Sequence, residues 1–205
     1  MERNLLKTAG KLYGRTVLAT LLNLFVYLSI NMLFTVFADP NKQMTESTAL
    51  IANIVALVFQ VGIFTAMIYS DLWGLGDRDR NAVQFGHLVE DKQFGLKAGC
   101  VASVPAAVSF LLLVADKALG LWAPYATLYR VAHLSFYPIV VWSFGKQVAL
   151  PGNVLAATAD IPWVGILTAG IPVLLLPLIA WFSYRMGYAQ IAVKERLVYG
   201  KEKKK

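Results

Sequence analysis

The chain has 205 residues, of which 58% are hydrophobic and only 15% charged, and its net charge is +7. That composition excludes an ordinary soluble domain, because the apolar residues come in runs near the roughly 20 residues that a membrane-crossing helix needs. The basic residues stand at the ends of those runs rather than along one polar face, which excludes a nucleic-acid footprint and points to anionic lipid headgroups.

Residues 1–15 carry Arg3, Lys7, Lys11 and Arg15 at intervals of four, with Leu5, Leu6, Leu12 and Tyr13 between them. The spacing predicts a basic helix lying on the membrane surface on the cytosolic side, with a frayed lead-in as the plainer alternative. The first span is expected over residues 16–38, too long for the roughly 7–15-residue core of a cleavable signal. Asn23 and Asn31, eight apart on one face, are expected to hydrogen-bond to a neighbouring helix. A short link with Pro40 then turns the chain back.

The second span is expected over residues 48–70. Gly62, Ala66 and Ser70 lie four apart on it, and Gly95, Gly99 and Ser103 repeat the spacing at the start of a third span over residues 98–115. Two small-residue faces beside one loop predict close packing of the second span on the third, with Asp71 and Lys97 brought together.

Between them, residues 71–97 read as a cytosolic loop that holds nine of the chain's thirty-one Lys, Arg, Asp and Glu residues. Asp77, Asp79 and Asn81 have the first three spacings of a calcium loop, but Ala82 and Leu88 stand where it needs glycine and a carboxylate. Alternating Asp77, Arg78, Asp79 and Arg80 instead predict an N-cap for an amphipathic helix from Asn81, with Phe85 and Leu88 on its apolar face. Asp77, Arg78, Asp79, Arg80, Phe85, His87 and Leu88 are therefore the expected docking surface for a partner. His87 with Glu90 or Asp91 is the one candidate acid/base set, and a single histidine there does not make a metal site.

Residues 121–145 are apolar enough to cross, yet they contain Arg130, His133 and Pro138 and many aromatic residues, a composition that favours the membrane interface. Tyr129, Arg130 and His133 are the candidate contacts for a solute or headgroup. A loop with Pro151, Gly152 and Asn153 leads to a last span over residues 163–184, relieved by Pro172 and Pro177, and residues 185–205 form a basic cytosolic tail.

Fifteen of the nineteen Lys and Arg residues lie in the arm, the central loop and the tail. The positive-inside rule then places all three in the cytoplasm and requires an even number of crossings of the cytoplasmic membrane. The expected fold is all-α: a multi-pass helical membrane protein with four transmembrane helices and an interfacial or re-entrant aromatic segment, six spans being the alternative. No cofactor or metal motif is visible. The leading functional expectation is a non-catalytic membrane component whose loop and tail dock a partner or ATPase subunit. The alternative is a small oligomeric carrier or channel-like protein, which predicts that Arg130 and His133 face a cavity; a membrane enzyme comes third.

Overall fold

A computed structural model describes residues 4–37, 45–120, 125–145 and 158–190. Most of the link after the first span, the Pro151 loop and most of the basic tail lie outside the described residues. The described residues are helical, without a strand. Three helices are long and apolar enough to cross a membrane, and a fourth crossing results if a bent pair counts as one.

The first of these, α1, runs Leu5–Phe37, so the basic arm continues the first apolar segment as one helix and does not form a separate surface helix. Its 33 residues rise about 50 Å, against a hydrocarbon core of about 30 Å. The second, α2 (Glu46–Gln84, 39 residues), likewise continues past Ser70. The expected loop is thus helical to Gln84, and the expected helix with an N-cap at Asp77–Asn81 does not form. The cause is a stripe of buried residues at intervals of four, Ala52, Ala56, Gln60, Phe64, Ile68, Leu72 and Gly76, which runs straight through the charge boundary to Asp79. A C-terminal cap at Gly86 ends the helix. Its φ of +72° suits glycine, and the His87 N–H bonds to Ala82 O at 2.8 Å while the Gly86 N–H bonds to Val83 O at 3.0 Å.

The segment expected as the third span is bent. Helices α3 (Phe94–Ala102) and α4 (Val104–Leu119) meet at 51° around Ser103, where Pro105 in the first turn of α4 cannot donate to the preceding turn. Two eight-residue helices follow, α5 (Tyr125–Ala132) and α6 (Tyr137–Phe144), separated by a 3-10 turn at Leu134–Phe136. Each is about 12 Å long and cannot cross alone. A 3-10 turn at Thr158–Asp160 precedes α7 (Trp163–Thr168) and α8 (Ile171–Tyr188), which together are long enough for the last span.

Helix α8 is the central packing partner. Its backbone at Tyr184 and Tyr188 fits against Gly76 of α2, its Gly187 fits against Trp73, and Gly95 and Gly99 of α3 meet Ala180, Tyr184 and Pro177. The small residues of α3 therefore pack, but on α8 and not on α2. Gly62, with nothing near it, and Ala66 and Ser70 lie on the exposed side of α2. Asp71 and Lys97 are consequently not paired: Asp71 binds Lys11 at 3.1 Å and Arg15 at 2.8 Å, and Lys97 binds Asp91 at 2.8 Å. The small residues of α2 that are buried are Ala52, Ala56 and Gly76, which the sequence analysis did not single out.

A Cβ at Gly76 would collide with backbone at Tyr184 and Tyr188, whereas one at Gly62 meets nothing within 4 Å. Gly76→Ala is expected to destabilise the protein by about 1–3 kcal/mol, and Gly62→Ala to be neutral or stabilising by up to about 1 kcal/mol. Thermal unfolding of both variants in detergent checks this; equal midpoints would contradict the α2–α8 contact.

Candidate functional site

Three helix interruptions meet in the interior. Ser103 separates α3 from α4, His133–Phe136 separates α5 from α6, and Ala169–Gly170 separates α7 from α8. Each following helix carries a proline in its first turn, namely Pro105, Pro138 and Pro172. Residues from all three regions, with Thr16 and Thr20 of α1 and Phe64 of α2, line a cavity of about 60 Å³. Ser103, Ser135, His133, Pro172 and Ala106 are among them. A cavity of this kind needs about 10–15 Å³ to hold one water, so the space is large enough for water or a small molecule.

Hydrogen bonds tie the interruptions to their neighbours. Asn23 Nδ2 donates to Gln60 O at 3.2 Å and to Ser135 O at 3.1 Å, while Gln60 Nε2 donates back to Asn23 O at 3.2 Å. The hydroxyls of Thr20 and Ser135 are 2.5 Å apart. Tyr129 OH donates to Ala169 O at 2.6 Å, so one side chain of α5 holds the break between α7 and α8. Asn23 is thus a helix-to-helix bond as expected, whereas Asn31 donates to Tyr27 O in its own helix.

His133 is the polar side chain left incomplete. It is 7% exposed, its ring stacks on Tyr129 with centroids 4.0 Å apart, and Nδ1 lies 3.1 Å from Tyr129 O. A carbonyl only accepts, so Nδ1 carries the proton and a neutral ring offers a bare lone pair at Nε2. Nε2 is buried and has no hydrogen-bond partner, and the same holds for Asn23 Oδ1 and Gln60 Oε1 nearby in the bonding network. A native interior rarely leaves such groups unmet without a water or ligand to meet them.

The other expected contacts have different places. Arg130 donates to Tyr137 OH and lies with its guanidinium 5.3 Å from the centre of that ring, so it is not part of the cavity lining. Tyr129 is buried against His133 and is not among the residues that line this cavity. Sequence reading missed Thr16, Thr20, Ala106 and Ser135, and assigned Ser103 to packing alone. The available signal was the trio Ser103-Val-Pro105, Phe136-Tyr-Pro138 and Gly170-Ile-Pro172, each a break before a proline-led helix.

The expected docking residues are mostly engaged within the chain. Asp79 is buried and accepts from Tyr184 OH at 2.8 Å, Asp77 accepts from Gln190 at 3.2 Å, and Arg78 bonds back to Gly74 O. Arg80 and Leu88 are half-buried, while Phe85 and His87 are exposed. Burial at Asp71 raises its carboxyl, but the hydrogen bonds from Arg15 and Lys11 outweigh this and hold it below the usual range. Glu90 is lowered by its hydrogen bond from Lys92 and then by that from Tyr188. Both acids beside His87 are therefore occupied, Glu90 with Lys92 and Asp91 with Lys97. Among the described residues no three His, Cys, Asp or Glu residues gather as a metal site.

Comparison with protein-family models, with curated proteins and with solved structures finds no match to this chain.

Proposed function

We propose that this chain is a small membrane carrier or channel-like protein that admits a small polar solute to the cavity between Ser103, His133 and Pro172. The observation that supports this reading is the convergence of three proline-led helix breaks on one largely apolar space, into which the hydroxyl-bearing residues Thr16, Thr20, Ser103 and Ser135 are gathered. Interrupted helices are tolerated at membrane depth only where protein or a water-filled cavity satisfies the backbone, and such breaks are where transporters bind their solutes. Asn23, bonded to Ser135 O, lies about 12 Å of helix rise beyond Arg15, close to the middle of a 30 Å core if Arg15 marks its edge.

The orientation follows the charge. The end that carries Lys11, Arg15, Asp71 and the 85–93 turn faces the cytoplasm, and α5 with α6 enters from the opposite side as a re-entrant element. Four crossings suit this arrangement. The apolar window of α1 is only 11% buried within the chain, which leaves that face to lipid or to a second protomer.

Reconstitution into liposomes tests it. Small polar solutes are expected to cross faster than in protein-free vesicles, and Ala106→Leu, which projects into the cavity, is expected to abolish the difference. Equal rates with and without protein across a panel of solutes would end this reading.

A second reading, a docking component for a cytosolic or membrane partner, draws on one observation. The end of α2 is held firmly against α8, and just beyond it Phe85 and Val89 are 74% and 86% exposed. If that tip engages a partner, the double substitution Phe85→Asp, Val89→Asp should remove a protein that co-purifies in mild detergent; an unchanged set of co-purifying proteins would dispose of it.

A further inference from the structure

The two longest helices meet through charge at one level. On α1, Lys7, Lys11 and Arg15 follow one another at intervals of four, so they line one flank of the helix over about 12 Å of rise. Asp71 of α2 accepts from Lys11 at 3.1 Å and from Arg15 at 2.8 Å, and among the described residues it is the only acid paired with these cations. Three cations against one carboxylate leave that flank with a surplus of two positive charges.

Beyond Arg15 the same flank is apolar. Leu18, Leu21, Leu22 and Phe25 are exposed there, and α1 carries no further charge as far as Phe37. With Arg15 at the edge of the hydrocarbon, Lys11 lies about 6 Å into the headgroup layer, and Lys7, about 6 Å further out, can reach back along its apolar stem. Helix α8 marks the same boundary. Tyr184 meets Gly76, about 7.5 Å of helix past Asp71, and the next residue, Arg185, holds its guanidinium 5.4 Å from the centre of the Trp181 ring, a pairing suited to the membrane interface. Room is also present beside the cations of α1. Gly10 and Gly14, three residues on from Lys7 and Lys11, have nothing within 4 Å of where a Cβ would stand, so the helix surface there is open to a headgroup.

We infer that the Lys7–Lys11 flank of α1 binds the phosphate of an anionic phospholipid of the cytoplasmic leaflet, whose acyl chains lie along Leu18, Leu21, Leu22 and Phe25. Charge complementarity selects the headgroup, and the exposed apolar residues directly beyond it select a lipid over a free phosphate. Asp71 works against the lipid, because it draws Lys11 and Arg15 to itself. The inference goes beyond the carrier reading and does not depend on it.

Native mass spectrometry of the full chain in detergent, with phosphatidylglycerol and phosphatidylcholine of identical acyl chains in competition, tests it. Adducts of phosphatidylglycerol are expected to dominate. Lys7→Gln removes a cation that pairs with no acid among the described residues, so the thermal midpoint should hold while the preference falls about fivefold, the worth of one cation at a membrane surface. Asp71→Asn should raise the preference. Lys92→Gln, at a cation paired with Glu90 beyond the end of α2, should leave it unchanged, and glycerol phosphate should not displace the lipid. Equal binding of the two lipids would overturn the inference, as would an undiminished preference in Lys7→Gln, an equal loss in Lys92→Gln, or displacement by glycerol phosphate. Lipid-free protein dimers in place of the adducts would give this face to a second copy of the chain and would overturn it as well.

Discussion

Backbone groups have no water to turn to inside a bilayer, so a helix can stop there only where protein or an enclosed cavity satisfies what it leaves open. Three helices of this chain stop in its interior, and the remaining architecture covers the places where they do. α1 supplies Asn23 and Thr20 to the turn at Ser135, and α2 supplies Phe64, whose ring meets that of Phe136 edge-on at 4.9 Å. Tyr129 closes the break at Ala169. Nothing comparable meets His133 Nε2, and this is why the interior reads as a site and not only as a repair of broken helices.

The opposite problem is solved at the charged end. Lipid offers no hydrophobic gain for one helix to join another, so association depends on close packing and on interhelical hydrogen bonds, each worth about 0.6 kcal/mol on average. Gly76, Gly187, Gly95 and Gly99 provide the closeness around α8, and Tyr184 adds a bond to the buried Asp79. This seam lets α2 carry a charged sequence for more than three turns past its apolar segment without unwinding. It also holds α3 and α8 in the positions from which Ser103 and Pro172 reach the cavity, so the firm end and the broken interior share one scaffold.

Part of the fold was legible in the sequence: the all-helical class and the long apolar segments. The end of α2 was not. Charge density at Asp77–Arg80 has the strength of a loop signal, whereas the buried stripe that overrides it has to be followed in steps of four from Ala52 through Gly76. The choice of packing face was illegible for a related reason, because Gly62, Ala66 and Ser70 carry the same spacing as the residues that do pack. The candidate site was legible only at His133. Its hydroxyls come from α1, the α3–α4 break and the α5–α6 turn, and no spacing in the chain relates Thr20 to Ser103 or Ser135.

Cys100 and Ser103 allow the central claim to be tested with an internal control. They lie three residues apart, within one turn, but Cys100 is exposed on the outside of α3 while Ser103 is buried and lines the cavity. In a bilayer, a small water-soluble thiol reagent should modify Ser103→Cys in a Cys100→Ser background faster than it modifies Cys100 of the wild type, because the one borders a cavity large enough for water and the other faces lipid. Reaction at Cys100 with position 103 inert would contradict the account, since it would mean that water reaches the outer face of α3 and not the meeting point of the broken helices.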